Sequence, residues 1–321
     1  MRLVIRLASA ALALFCGLLP AAAQDRVYRI GLLSPGREIL SLRRSFAPEL
    51  ARQGLVEGRN LQFVGGFADG ALDKLAELAR DLVAAPVDVI VAVSAPAIRA
   101  ARDASRTTPI VMRFVDHDPV LSGFIESYAR PGTNVTGVAM LAAEADAKRI
   151  ELLAQAFPGR RLALLASSTF EMPSLIAARR VAEAAGVDLS IVSALDRAAF
   201  PRAFATIAEA GAAAVVIQSS PVFANNMDAL AADAAAARLP VLCVWREMAE
   251  AGCFASFGPS IDTLDRRAAN YVVKILAGQS PATLPVEQAA TFELVINQRA
   301  ARSIGLDVPP SLLARADEVI E

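Results

Sequence analysis

Val89-Ile90-Val91-Ala92-Val93 runs into Ser94-Ala95-Pro96, a helical stretch, and then Pro109-Ile110-Val111. Far downstream the same grammar returns. Val215-Val216-Ile217-Gln218 runs into Ser219-Ser220-Pro221, another helical stretch, and Pro240-Val241-Leu242. Each passage reads as a buried strand, a Ser-x-Pro-type turn, a helix and a Pro-led strand. A short β-branched run bounded by turn residues and followed by an amphipathic segment is one βαβ step of a parallel sheet. Two such passages more than a hundred residues apart predict two lobes of similar build.

Working outward, the alternation continues on both sides. Strands are expected at 27–33, 60–64, 87–93 and 109–114, with helices at 39–52, 71–84 and 96–104. After 133–138 a second series predicts strands at 162–166, 188–192, 213–218 and 241–244, and helices at 144–157, 173–185, 197–210 and 222–237. The pattern loosens past residue 250, with strands at 253–257 and 292–296 and a helix at 261–277. A chain that returns after two complete lobes must cross between them several times, and such crossovers make a hinge. The expected class is therefore α/β, two Rossmann-like lobes with parallel sheets. The first lobe is expected at 24–138 plus about 253–290, the second at 139–252 plus about 291–321.

Residues 1–23 read as a signal peptide. Arg2 and Arg6 precede an apolar run, Pro20 breaks it, and Ala21-Ala22-Ala23 offers a cleavage site. The run is shorter than the roughly 20 residues of a spanning helix. The remaining chain is long enough for two cores. With 32 basic residues against 33 acidic ones and no basic cluster, nucleic acid is not an expected partner. A monomer free in the periplasm is expected. Cys243 and Cys253 are expected to be two buried thiols, with pairing in an oxidising compartment the alternative.

Ligands of open parallel sheets sit at the carboxyl ends of the strands. Those ends carry Ser34, Ser94 with Ala95, Ser167 with Ser168, and Ser219 with Ser220. Each serine can cap the helix that follows, or its hydroxyl and the free N–H groups can face a crevice and hold an anionic group. Asp116 and Asp118 can accept a bond from an amino group or cap the turn before Pro119. His117, the one histidine, is expected on an exposed loop. Trp245 can stack on a solute, and Arg246 can fork a carboxylate or pair with Glu247 at the hinge. Phe257 is a further candidate wall. A nucleotide-type Gly-x-Gly-x-x-Gly, a phosphate loop and a Gly-x-Ser-x-Gly elbow are all missing from the sequence. Binding is expected rather than catalysis, with no cofactor and no metal.

Several stretches together resemble one family. They are Tyr28-Arg29-Ile30-Gly31 with Ser34-Pro35-Gly36, Gly54-Leu55-Val56-Glu57-Gly58-Arg59-Asn60, and Arg130-Pro131-Gly132-Thr133-Asn134-Val135-Thr136-Gly137. Phe292-Glu293-Leu294-Val295-Ile296-Asn297 and the tail Pro309-Pro310-Ser311-Leu312-Leu313-Ala314-Arg315-Ala316-Asp317-Glu318 complete the set. From about Val27 onward the chain is similar to ABC-transporter substrate-binding proteins of the tryptophan and tyrosine type. That resemblance implies a type I periplasmic-binding fold, a small solute such as an amino acid or other small carboxylate, and separate permease and ATPase chains. Membrane contact would come only through the permease. The family's cleft loops would fall on Ser34, Ser94, Asp118, Ser219 and Arg246. The chain departs from the family at His117-Asp118-Pro119, where Gly-Asp-Pro is usual. It departs again at Gly252-Cys253-Phe254-Ala255-Ser256-Phe257, where Phe257 replaces a tyrosine. A ligand-binding partner of a membrane signalling protein is the alternative that the same fold would serve.

Overall fold

The computed structural model describes residues 26–37, 42–115, 118–140, 142–168 and 173–321. The expected signal peptide, Asp116 and His117 lie outside the described residues.

Two sheets organise the chain. The first contains β1 (Tyr28–Ser34), β2 (Leu61–Phe67), β3 (Val89–Val93), β4 (Ile110–Val115) and β5 (Val135–Ala139). The second contains β6 (Leu162–Ala166), β7 (Leu189–Ser193), β8 (Ala214–Ile217), β9 (Val241–Cys243) and β10 (Ala255–Pro259). The chain then returns to the first sheet with β11 (Glu287–Gln288) and ends in the second with β12 (Phe292–Asn297) and β13 (Glu318–Ile320). The orders are β11-β5-β4-β3-β1-β2 and β13-β12-β10-β9-β8-β6-β7. Among the described residues, only the β10–β12 pair is antiparallel. Val89, Ile90, Val91 and Ala92 are buried, as are all four residues of β8, which is why these strands read as continuous apolar runs rather than alternating ones.

Helices α1 (Ala47–Arg52), α2 (Leu75–Ala84) and α3 (Ser94–Ala104) accompany the first sheet. Helices α4 (Ala142–Ala156), α5 (Pro173–Ala184), α6 (Phe200–Glu209), α7 (Pro221–Ala224), α8 (Met227–Ala236) and α9 (Arg246–Glu250) accompany the second. The long α10 (Ile261–Leu276) crosses back and packs on β3, β4 and β5. Its buried stripe of Leu264, Ala268, Tyr271, Val272 and Ile275 follows helical spacing.

Three expectations change. β10 belongs to the second sheet, paired with β9 and β12, so the return to the first lobe falls after Pro259 rather than at about 253. The helix expected at 222–237 is broken at Asn225-Asn226 into α7 and α8; Asn226 turns its amide back onto the Val222 carbonyl. Cys243 and Cys253 form a disulfide. β9 ends at Cys243, and Cys253 lies just ahead of the adjacent β10, so the two cysteines stand side by side with Cα atoms 6.5 Å apart.

One buried apolar cluster extends through both lobes. Phe46, Leu50 and Val91 from the first join Ile217, Phe223, Trp245 and Met248 from the second. The lobes are also tied by Arg44, which pairs with Glu247 at 2.6 Å and with Asp262 at 2.8 Å.

Candidate functional site

Each sheet has one point at which strand order reverses, so that the connections after neighbouring strands leave on opposite faces. In the first sheet this point lies between β1 and β3, and in the second between β6 and β8. The Ser-x-Pro turns fall at these points. Proline at the first helical turn keeps helical φ and gives up an N–H that has no intrahelical partner anyway.

A cavity of about 930 Å³ lies between the two sets of strand tips. From the first lobe it is lined by Pro35 after β1, Asp69, Gly70 and Leu72 after β2, Pro96 after β3, and Asp118, Leu121, Ser122 and Tyr128 after β4. The second lobe supplies Glu144 and Asp146 from α4, Ser167, Ser168 and Ser174 after β6, and Leu195, Asp196 and Arg197 after β7. Gln218, Ser219, Ser220, Val222, Asn225 and Asn226 follow β8. The volume is within the usual range for small-molecule sites, about 300–1,000 Å³.

Of the residues expected from sequence, Asp118, Ser167, Ser168, Ser219 and Ser220 line this cavity. Asp118 accepts hydrogen bonds from Val120 and Leu121 N–H at 2.7 and 3.1 Å, so it also caps its turn. Ser220 caps α7 by accepting from Val222 N–H at 3.2 Å. Ser219 accepts from Arg149 at 3.0 Å and reaches Asp146 at 3.3 Å. The Ser168 carbonyl accepts from the Ser193 hydroxyl at 2.6 Å.

Ser34, Ser94 and Ala95 are buried beside the prolines that do line it. Ser34 accepts from Gly36 N–H at 3.1 Å, a local turn. Ser94 has a left-handed backbone, φ 69°, and its buried hydroxyl has no hydrogen-bond partner among the described residues. Both features are costly, and strain of this kind concentrates at functional positions.

Trp245, Arg246 and Phe257 do not line the cavity. Strands β9 and β10 lie on one side of β8, away from the reversal between β6 and β8. Trp245 is consumed by the buried apolar cluster. Arg246 forks onto Glu318 at 2.8 and 2.6 Å and onto Glu250 at 2.6 Å, so its partners are β13 and its own helix rather than Glu247. Phe257 stacks on Phe292, and its carbonyl accepts from Arg149.

Sequence reasoning missed Asp69, Tyr128, Glu144, Asp146, Asp196, Arg197, Gln218, Asn225 and Asn226. The tips of β2 and β7 were available as signals, since these strands flank β1 and β6, but only the strand order gives them that position. Gln218 braces two tips, accepting from Ser167 N–H at 3.0 Å and donating to Ser174 at 3.2 Å. Asp146 and Arg149 form a buried ion pair beneath Ser219. Burial pushes the Asp146 carboxyl up and the Arg149 guanidinium down, and their mutual attraction opposes both shifts. The Tyr128 phenol is raised by burial and by the carboxylates of Asp118 and Glu144, with a bond to Gln288 acting the other way.

Two lobes whose strand tips enclose one cavity define a solute-binding protein of the type I periplasmic-binding class. The family model for ABC transporter substrate binding proteins matches residues 37–320, and the chain belongs to that family. It is similar to a tyrosine-binding protein of Clostridioides difficile, 22% identical over 274 residues, covering 82% of this chain and 76% of that one. Among solved structures, a conserved domain protein of Vibrio cholerae superposes with a TM-score of 0.83 at 28% identity, covering 92% of this chain and 100% of that one. An ABC domain from Streptococcus pneumoniae in complex with L-Trp superposes at 0.82 and 23% identity, with the same coverage. The family is one of solute binders rather than enzymes. No helix among the described residues is long and apolar enough to cross a membrane.

Proposed function

We propose that the chain captures one small solute in the interlobe cavity, outside the cytoplasmic membrane, and presents it to the permease and ATPase of an importer. The observation that carries this reading is a single cavity lined from both lobes at both strand-order reversals. The export sequence expected at residues 1–23 and the family membership support the location and the partners.

The work is conformational. A solute that touches both lobes stabilises their approach, because only the closed arrangement offers it both sets of contacts. Asp118 and Tyr128 would hold it from the first lobe, and Ser168, Ser219, Ser220 and Asn225 from the second. The first N–H groups of α3, next to Pro96 in the chain, would take a carboxylate if the solute has one. Relatives that bind tyrosine and L-Trp support an amino acid or a molecule of similar size.

A thermal-shift screen over amino acids, amines and small carboxylates tests this, with native mass spectrometry of freshly isolated protein alongside. A solute at a hundredfold excess over its Kd adds about 2.7 kcal/mol. The reading fails if no small molecule co-purifies and none of the panel raises the melting temperature.

A further inference from the structure

The lobes also meet away from the cavity. Among the ion pairs between described residues, one joins them: Arg44, in the segment Leu42–Phe46 of the first lobe, donates to Glu247 of α9 in the second at 2.6 Å. The same guanidinium donates through Nε to Asp262 at 2.8 Å. Asp262 lies in the first turn of α10, immediately after the crossover at Pro259-Ser260. Ser45 donates to Asp265, one turn further on, at 2.8 Å, and Asp265 also pairs with the buried Arg113 of β4. Arg44 is therefore fixed to the first lobe on one side and reaches the second lobe on the other.

The Glu247 end is held as well. Helix α9 lies inside the loop closed by the Cys243–Cys253 disulfide, and its Arg246 forks onto Glu318 of β13. The Glu247 side chain is 21% exposed, so the pair is partly desolvated. Glu247 acts most strongly on the Arg44 guanidinium and raises it above its ordinary value, with Asp262 adding to this and burial opposing it. Leu42 and Phe46, on either side of Arg44, and Trp245 and Met248, on either side of Glu247, belong to one buried apolar cluster. Arg44 follows the tip of β1 and Glu247 the tip of β9. Gly36 and Asn225, which follow the tips of β1 and β8, also meet across the lobes. Both contacts span the gap that parting of the facing strand ends would widen.

We propose that Arg44 and Glu247 form an interlobe clasp, made when the lobes approach and broken when they part, so that the protein reaches its closed arrangement before a solute binds. Asp262 holds the guanidinium in place beforehand. Closing then does not have to order a long side chain, the entropy loss that cancels most exposed ion pairs. The clasp raises the fraction of molecules in the closed arrangement, and the apparent affinity for a solute rises with that fraction. This rests on the closure described above, but its test needs no solute.

The test measures distances by electron–electron double resonance in the full-length processed protein, freed of solute by dialysis. The spin labels sit on cysteines introduced by Leu72→Cys and Leu195→Cys, exposed positions in opposite lobes. Two distances are expected, a short one for the closed arrangement and a long one for the open. Glu247→Gln and Arg44→Gln are each expected to raise the long-to-short ratio about two- to fivefold, and the double variant no further than the larger single effect. Raising sodium chloride from about 50 mM to about 1 M is expected to shift the parent the same way and to leave the double variant unchanged. Glu247→Gln keeps Arg44 on Asp262, so it decides by the same criterion if Arg44→Gln does not fold. A parent that shows only the long distance, ratios untouched by both substitutions, or effects that add in the double variant overturn the clasp. Those outcomes leave the solute-binding reading standing, and a failure to bind any solute leaves the clasp to be judged on these distances.

Discussion

Ser94 offers a test in which a loss of contacts raises stability. Its φ of 69° places a residue with a Cβ in the left-handed region, which costs about 1–2 kcal/mol. Its hydroxyl is buried and unpartnered among the described residues, a desolvation penalty of about 1–3 kcal/mol. Ser94→Ala removes the orphan hydroxyl and keeps the strain, so a gain of about 1 kcal/mol is expected. Ser94→Gly removes both, against about 0.5–1 kcal/mol of extra unfolded-chain entropy, so a gain of about 1–2 kcal/mol is expected. Urea denaturation reads this as a higher midpoint at unchanged slope. Functional strain also implies a cost: both variants should bind solute more weakly if the hydroxyl or the α3 amides it positions contact the ligand. Destabilisation by both variants would refute the reasoning, because it would mean that the hydroxyl has a partner and the turn is relaxed.

Other outcomes follow from single contacts. A Cβ on Gly36 would stand 2.7 Å from the Asn225 side chain of the other lobe, so Gly36→Val should oppose the closed arrangement, enlarging the solute-saturated radius of gyration in small-angle scattering. Arg246→Ala should leave solute affinity unchanged and cost no more than about 1 kcal/mol, because its pairs are roughly 40% exposed and screened. Arg246 holds the Glu318 carboxyl below its ordinary range, so that small contribution is present above the unfolded glutamate pKa and fades as pH falls through the lowered one, which denaturation at several pH values will register. Replacing Cys243 and Cys253 together by alanine opens a loop with a sequence separation of 10 and should cost about 2–3 kcal/mol in non-reducing denaturation.

Much of the architecture was legible in the chain because buried parallel strands and capped helices carry local signatures. Val89–Val93 and Ala214–Ile217 fall within strands expected from their apolar runs alone. Ser220-Pro221 marks the helix start it was read to mark. The break at Asn225-Asn226 was hidden, since an alanine-rich stretch continues helical periodicity on both sides of it.

The site divides along a similar line. Sequence determined that serines, prolines and Asp118 would cluster at strand ends, because a turn from strand to helix selects those residues locally. It could not determine which ends share a cavity. That depends on strand order, a long-range property: β2 and β7 flank the reversal points and contribute Asp69 and Asp196, while β9 and β10 lie farther out and leave Trp245, Arg246 and Phe257 to the core, to Glu318 and to Phe292. Partner choice was likewise tertiary. Arg246 has the chemistry to hold a carboxylate and does so, but the carboxylates belong to the chain, because β13 returns beside it at the very end of the sequence. Residue type sets what a side chain can bind; its neighbours in three dimensions decide whether that capacity remains for a solute.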